Sequence, residues 1–434
     1  MERPAHLEHE MTRSAVLFRN VRIFDGTSDR LTEPINVLVV GKTIATIDKQ
    51  PITTPQGATV IEGGSRVLMP GLTDAHWHML AAGNDSAELN FGNIGLVYAN
   101  AVAEAHRTLL RGFTTVRDMA GDVFGIKLAI DRGTIPGPRV YPSGAAISQT
   151  GGHGDFTFVY QRPTTFGGSP SHMEDIGFMT IADGPDAVLT AAREQLKKGA
   201  SQIKLMAGGG VASLYDPIDV MQYTGEELKA AVQAAENWGT YVAVHVYTPQ
   251  AIQQAIAAGV KSIDHGHLTD EATVKLIAEK GVWLSTQPFA ESDHSFPTAD
   301  QQAKNRAVCN GTDNVYRWAR QHRVKVAFGT DLLFEPQDNY KQNEMLTRVA
   351  QYYSNVEVLK MATSQNAQLF AMSGKRNPYQ EAKLGVVKEG AFADLLLVEG
   401  DPTVDINVLK DYEKNFVVVM KDGTIFKDIL FHAL

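Results

Sequence analysis

The chain has 434 residues, 44% hydrophobic and 21% charged, with a formal net charge of −9. That length supplies a large soluble core, and the negative sign argues against nucleic acid or an anionic membrane as a partner. Cys309 is the only cysteine, which excludes an intrachain disulfide and fits a reducing compartment.

The N-terminus, MERPAHLEHEMTRSAVLF, places charges and a proline where a signal peptide needs an apolar stretch. No run of about 18 apolar residues occurs, so no membrane span is expected. The expectation is a cytoplasmic protein whose first ten or so polar residues are unstructured. Residues 14–24, 36–40 and 43–47 then read as short strands joined by polar turns. Near the other end, residues 394–399, 416–420 and 424–426 read the same way. Neither set has enough apolar strand surface for a stable sheet alone. The simplest arrangement pairs residues 1–68 with 375–434 in one small β-sandwich.

Residues 69–374 alternate strand and helix patterns. Strand patterns end near Asp74, Asp118, Ser148, Lys204, His245, His265, Gln287 and Asp331. Helical patterns cover 98–110, 187–198, 225–237 and 269–280, with Thr224 and Thr269 as N-caps. Eight strands alternating with helices predict an α/β fold, a (β/α)8 TIM barrel, with chemistry at the C-terminal strand ends. The connections 151–180 and 332–343 are long for a compact barrel and are expected to build the substrate pocket.

The polar residues at those strand ends form a pattern. In Thr73-Asp74-Ala75-His76-Trp77-His78, residues two apart share a face, so His76 and His78 can reach one metal ion. An apolar run, 67–72, precedes them, with Pro70 and Gly71 marking a bend. Lys204 lies inside the apolar strand Gln202–Met206, where an ammonium is costly to bury. It reaches solvent, forms a buried ion pair, or has reacted with CO2 to give a carbamate that bridges two metals. Burial favours the neutral amine which that reaction needs. His245 and His265 end successive apolar strands, as imidazole ligands of a borderline divalent cation would. His267 fits a supporting or loop role better than a ligand. Asp331 closes the strand Ala327-Phe328-Gly329-Thr330, placed to ligate a metal and take a proton from water.

This ordered set resembles the amidohydrolase superfamily over nearly the whole chain. The resemblance rests on PGLTDAHWH, GFTTVRD, Lys204, the two later histidines, the Gly329-Thr330-Asp331 strand end and the tail LGVVKEGAFADLLLVEGDP. It implies two divalent metal ions, usually zinc. His76, His78 and Asp331 would hold the more buried ion and His245 and His265 the more exposed one. A carboxylated Lys204 and a hydroxide would bridge them. It also implies a homo-oligomer. The stretches Gln149–Asp155 and His245–Pro249 resemble a branch of metal-dependent dipeptidases and carboxypeptidases that includes prolidase-like enzymes, Xaa-Arg and Xaa-Lys carboxypeptidases and ochratoxin amidases. By that likeness His153 and Tyr247 contact the substrate, a small amide or dipeptide, near the scissile carbonyl or its terminal carboxylate. Trp77 between the metal histidines departs from the pattern, as a residue that could shape the pocket. Arg117 and Asp118 have structural counterparts and read as a buried ion pair beneath the site, and Gly208-Gly209-Gly210 reads as a flexible pocket edge.

Two other readings compete. A deaminase or cyclic-amide hydrolase can use the same fold, but a mononuclear deaminase calls for His-x-x-Glu where this chain has His245-Val246-Tyr247-Thr248. A non-catalytic barrel would have lost ligands, and all six are present.

Overall fold

The computed structural model describes residues 15–430, so the N-terminal stretch expected to be unstructured lies outside the described residues. The strands, in chain order, are β1 (Ala15–Ile23), β2 (Ile35–Val40), β3 (Thr43–Asp48), β4 (Thr59–Glu62), β5 (Val67–Pro70), β6 (Leu72–Trp77), β7 (Phe113–Asp118), β8 (Arg139–Pro142) and β9 (Ala146–Ser148). They continue with β10 (Met179–Ile181), β11 (Ile203–Met206), β12 (Val242–Val246), β13 (Ser262–His265), β14 (Trp283–Thr286), β15 (Lys325–Phe328), β16 (Leu395–Val398), β17 (Phe416–Lys421) and β18 (Thr424–Asp428).

Both chain ends enter one mixed sheet in the order β18-β17-β16-β5-β1-β2-β3, with β4 paired to β1. Val16, Phe18, Val37, Val39, Leu68, Leu395, Leu397, Val418 and Met420 fill one core drawn from both ends. The apolar run 67–72 divides at Gly71. Its first part is β5, which pairs antiparallel with β16, and its second part opens β6. A Cβ at Gly71 would lie 2.1 Å from the Thr114 hydroxyl, so only glycine lets β6 lie this close to β7.

The central strands are all parallel. One sheet is β6-β7-β8, the other β10-β9-β11-β12-β13-β14-β15. Their edges approach at both sides. Asn366 Nδ2 donates to Thr73 O at 3.1 Å and to Phe328 O at 2.8 Å, joining β6 to β15. Ser201 N–H donates to Pro142 O at 2.8 Å, joining the end of β8 to the start of β11. The strand expected to end at Ser148 is in two pieces, because Pro142 has no N–H to donate and Gly144 turns the chain at φ +73°.

Alternation along the strands places the site. Ile203, Leu205, Val244, Ile263 and Val326 pack with Leu228, Ala231, Ile252, Val274 and Val315 of the covering helices. Each such isoleucine, leucine or valine contributes about 2 kcal/mol by burial. Lys204, His245 and Asp264 occupy the intervening positions and face the other way.

Thr224 caps the helix Gly225–Trp238 with a capping box to Glu227, worth about 1 kcal/mol. The second expected cap shifts by one residue. Asp270, not Thr269, accepts from Thr273 N–H at the start of Glu271–Glu279. A carboxylate at that position adds a favourable interaction with the helix dipole. Among the described residues no helix is long and apolar enough to cross a membrane.

Candidate metal centre

Three ligand atoms converge at one end of the parallel strands. His76 Nε2 and His78 Nε2 lie 3.2 Å apart, and Asp331 Oδ1 lies 3.5 Å from the first and 3.1 Å from the second. The circle through them has a radius of about 1.9 Å, close to the ~2.0–2.1 Å at which nitrogen and oxygen ligate zinc. The three side chains therefore fit a divalent ion. Asp331 holds φ +56° and His265 φ +78°, a region that costs a non-glycine residue energy and gathers at functional sites.

The same cavity is lined by all six expected ligands and by His153. The His265 ring stands 4.8 Å from His76 and 4.5 Å from His245, centre to centre. Hydrogen bonds set which nitrogens are free. A carbonyl can only accept, so His245 Nε2–H donates to Gly209 O at 3.0 Å and leaves Nδ1 with its lone pair. Gln287 Nε2 donates to Ser285 O at 3.1 Å, which turns its Oε1 to His265 Nδ1 at 2.8 Å and leaves His265 Nε2 with a lone pair. Gln287 thus orients an expected ligand, a role the sequence does not suggest. His267 Nε2–H donates to Gln287 O at 2.8 Å and stacks on Phe289 at 5.1 Å, so it supports the wall.

Lys204 is fully buried and donates to Asp264 Oδ2 at 2.8 Å. Asp264 Oδ1 accepts from Arg117 at 2.9 Å. The expected Arg117–Asp118 pair is not formed. Neighbouring strand residues point to opposite faces, and Asp118 instead accepts from Met79 N–H at 2.6 Å. Asp264 is not among the residues that the sequence pattern singles out. A charged residue within an apolar strand was the available signal, as it was for Lys204. Trp77 is fully buried in the core that also holds Leu80, Val97, Ala101 and Ala105, with the Arg111 guanidinium 5.9 Å from its ring, and it is not among the residues lining the metal cavity.

His153 stacks on His245 at 4.1 Å, and its Nδ1 lies 2.7 Å from Ser213 Oγ. Tyr247 packs edge-on to His245 at 5.0 Å and shares a second small cavity with His153, His245 and Asp331. The glycines expected to form a flexible edge are tightly packed. A Cβ at Gly209 would lie 1.9 Å from Pro217 O, and one at Gly210 would lie 1.8 Å from His153 Nδ1.

Burial controls the charge states. It pushes His76 and His245 well below the ordinary imidazole value and brings His265 to about 3 and His267 to about 4. Neutral imidazole is the form that ligates a cation. Burial also lowers Lys204, against the opposing pull of Asp264. For Asp331 burial resists ionisation, but the hydrogen bond from His78 and nearby positive charge hold the carboxyl at about 2.

These shifts predict acid sensitivity of the metal-free protein. Folded His265 and His267 have lower values than the ordinary 6.5, so the unfolded chain takes up protons first. Their stabilisation is complete above about pH 6.5 and is lost as pH falls toward 4 and 3. By pH 5 each ring is expected to cost about 2 kcal/mol. Urea unfolding of chelator-treated protein at about pH 7.5 and 5 reads this directly. An unchanged midpoint would contradict it.

Comparisons with known proteins agree with this fold. The amidohydrolase family pattern matches residues 67–426. Ochratoxinase of Aspergillus niger is 34% identical over 384 residues, covering 83% of this chain and 76% of that protein. The crystal structure of an amidohydrolase aligns with a TM-score of 0.87 and 35% identity, covering 96% of this chain and 100% of the other. A prolidase complexed with N-methylphosphonate-L-proline aligns with a TM-score of 0.87 and 32% identity, covering 96% and 100%. The chain belongs to the amidohydrolase family.

Proposed function

We propose that this chain is a binuclear metal-dependent hydrolase of an amide or peptide bond, in a dipeptide, an N-acyl amino acid or an ochratoxin-like aryl amide. The observation that carries the proposal is the convergence of His76 Nε2, His78 Nε2 and Asp331 Oδ1 beside the lone pairs of His245 and His265. Similarity to ochratoxinase and to a prolidase supports the amide bond as the target. In this reading the two parallel sheets are one closed (β/α)8 barrel, residues 69–374, because their edges are bonded on both sides. In the same reading the described parts of both chain ends, 15–68 and 375–430, form the β-sandwich beside it.

His76, His78 and Asp331 would hold one ion, zinc by the ligand set, and His245 and His265 the second. A CO2-derived carbamate on Lys204 would lie between them. When bound, the ions supply a water that ionises near neutral pH and a Lewis acid for the carbonyl oxygen. Asp331 accepts the proton of the attacking water and returns it to the leaving amine. Burial raises the Tyr247 phenol well above its ordinary value, so it keeps its proton and donates to the developing oxyanion. His153, held at Nδ1 by Ser213, offers its other nitrogen to the substrate.

An outer cavity of about 480 Å³ shares Phe156, Ala212, Leu333 and Phe334 with the metal cavity. It draws on both long connections, and Phe91, Phe158, Tyr215 and Phe296 also line it. Its described lining carries Asp85, Asp155 and Glu335 and no lysine or arginine. It suits an apolar or aromatic group, while a substrate carboxylate would be met nearer the metals by His153 or Tyr247.

A hydrolysis screen of N-acyl amino acids, dipeptides and aryl amides with metal-reconstituted enzyme tests the proposal. Cleavage is expected with aromatic members, and no amide cleavage across the set would contradict it. Gly210→Ala tests the placement of His153. The ring must move, so kcat/KM is expected to fall by about tenfold to a hundredfold with metal content unchanged. Activity within about twofold of the parent would remove His153 from the mechanism.

A further inference from the structure

We infer that Asp264 is a positioning residue that fixes Lys204 Nζ, and later its carbamate, in the orientation needed to hold the metals. The inference rests on the binuclear reading above. Asp264 is fully buried and lies one residue before His265 in the strand. Its two oxygens face different partners. Oδ1 accepts from Arg117 at 2.9 Å and from Ser262 Oγ at 3.1 Å. Oδ2 accepts from Lys204 Nζ at 2.8 Å and lies 3.5 Å from His76 Nδ1.

Arg117 is itself held. Its Nε donates to Ala75 O at 2.6 Å and its other nitrogen to Tyr241 OH at 3.2 Å. One buried guanidinium therefore ties the carboxylate on β13 to the backbone of β6, next to His76. The carboxylate cannot turn without breaking these bonds. It presents a fixed acceptor to the end of a four-carbon side chain that would otherwise sample many rotamers.

That acceptor matters to the lysine's chemistry. Carbamylation forms an N–C bond between Nζ and CO2, and one C=O electron pair moves onto oxygen. Nζ gives up two of its three ammonium protons to solvent, so a single N–H remains. The nitrogen becomes planar. With that N–H donated to Asp264 Oδ2, the plane would be set and the new carboxylate would point away from Asp264, into the cavity that Lys204 shares with the expected ligands. Ligand orientation by such an outer partner typically changes metal affinity by about 10–100-fold.

The test is zinc titration of metal-free protein over a range of bicarbonate concentrations, with bound zinc per chain as the readout. Asp264→Asn keeps the size of the side chain. Its carbonyl oxygen is drawn to Arg117, so its NH2 faces Lys204 and cannot accept. Retention of the second zinc is expected to need at least about tenfold more bicarbonate than in the parent. If Asp264→Asn does not fold, judged by circular dichroism, the charge-balanced pair Asp264→Leu with Arg117→Met, which leaves Lys204 no acceptor at this position, is used with the same expectation. The same Asp264 change is also made in Lys204→Ala protein supplied with propionate, a free carboxylate that needs no N–H anchor. There it should alter zinc retention by less than about twofold.

An equal loss in both backgrounds would show that Asp264 acts through His76 or the fold, and would overturn the inference. So would unchanged bicarbonate dependence in Asp264→Asn itself. A parent that binds two zinc ions with no bicarbonate dependence would refute the carbamate and this inference, leaving the two-metal reading intact.

Discussion

Asp331→Asn is expected to lower kcat/KM by about three to four orders of magnitude while the fold persists. In the proposed function the carboxylate has two duties. Oδ1 lies 3.5 Å and 3.1 Å from the His76 and His78 nitrogens, and Oδ2 lies 3.8 Å from His265 Nδ1, at the centre of the ligand set. The proposed mechanism also has it accept a proton and give it up within one turnover. An amide has almost the same shape but cannot carry the negative charge or take the proton. The backbone should tolerate the exchange, because asparagine adopts a positive φ, here +56°, as readily as aspartate. Steady-state kinetics and thermal melting of the variant separate the two effects. More than about a tenth of parental activity in a folded variant would contradict the assigned role.

Lys204→Ala is expected to cost about a thousandfold or more in activity and to leave less than two metals per chain. The side chain is fully buried and lines the metal cavity, and burial favours the neutral amine that reacts with CO2. Alanine removes the only group there that can become a carbamate. The fold should survive. Asp264 keeps its 2.9 Å bond to Arg117, so no buried carboxylate is left unpaired. The remaining penalty is a cavity, worth about 3 kcal/mol. Elemental analysis after zinc reconstitution checks the first part and urea unfolding the second. Two firmly held zinc ions per chain in this variant would contradict the assignment.

The sequence made much of this arrangement legible, and the physical reason is specific. A lysine or histidine within an apolar strand stands out, and the period of two gives its face. His76 and His78 share a face that way, while Lys204, His245, His265 and Asp331 stand out as polar residues in or at the ends of apolar strands; one cavity joins all six, although the φ of +78° at His265 takes it out of the alternation. The partner of Arg117 could not be found that way. It is Asp264, 147 positions later, while Asp118 lies next door in the chain. Distance across a parallel sheet is invisible to local patterning. Short strands were missed for a related reason. β4 and β10 have only four and three residues, too few for alternation to show, and they exist because β1 and β9 offer them edges. Gly209 and Gly210 look like flexibility in sequence and are close packing in space. Which of two adjacent capping residues is used depends on where the helix begins, and Asp270 prevails over Thr269.

The central claim is that two metals and this ligand set cleave an amide bond. Metal-free enzyme titrated with zinc in excess bicarbonate, with hydrolysis of an N-acyl aromatic amino acid followed at each addition, tests it most directly. The account predicts negligible activity without metal and a rise that ends at two equivalents per chain. Full activity in the metal-free protein, or saturation at one equivalent, would contradict it.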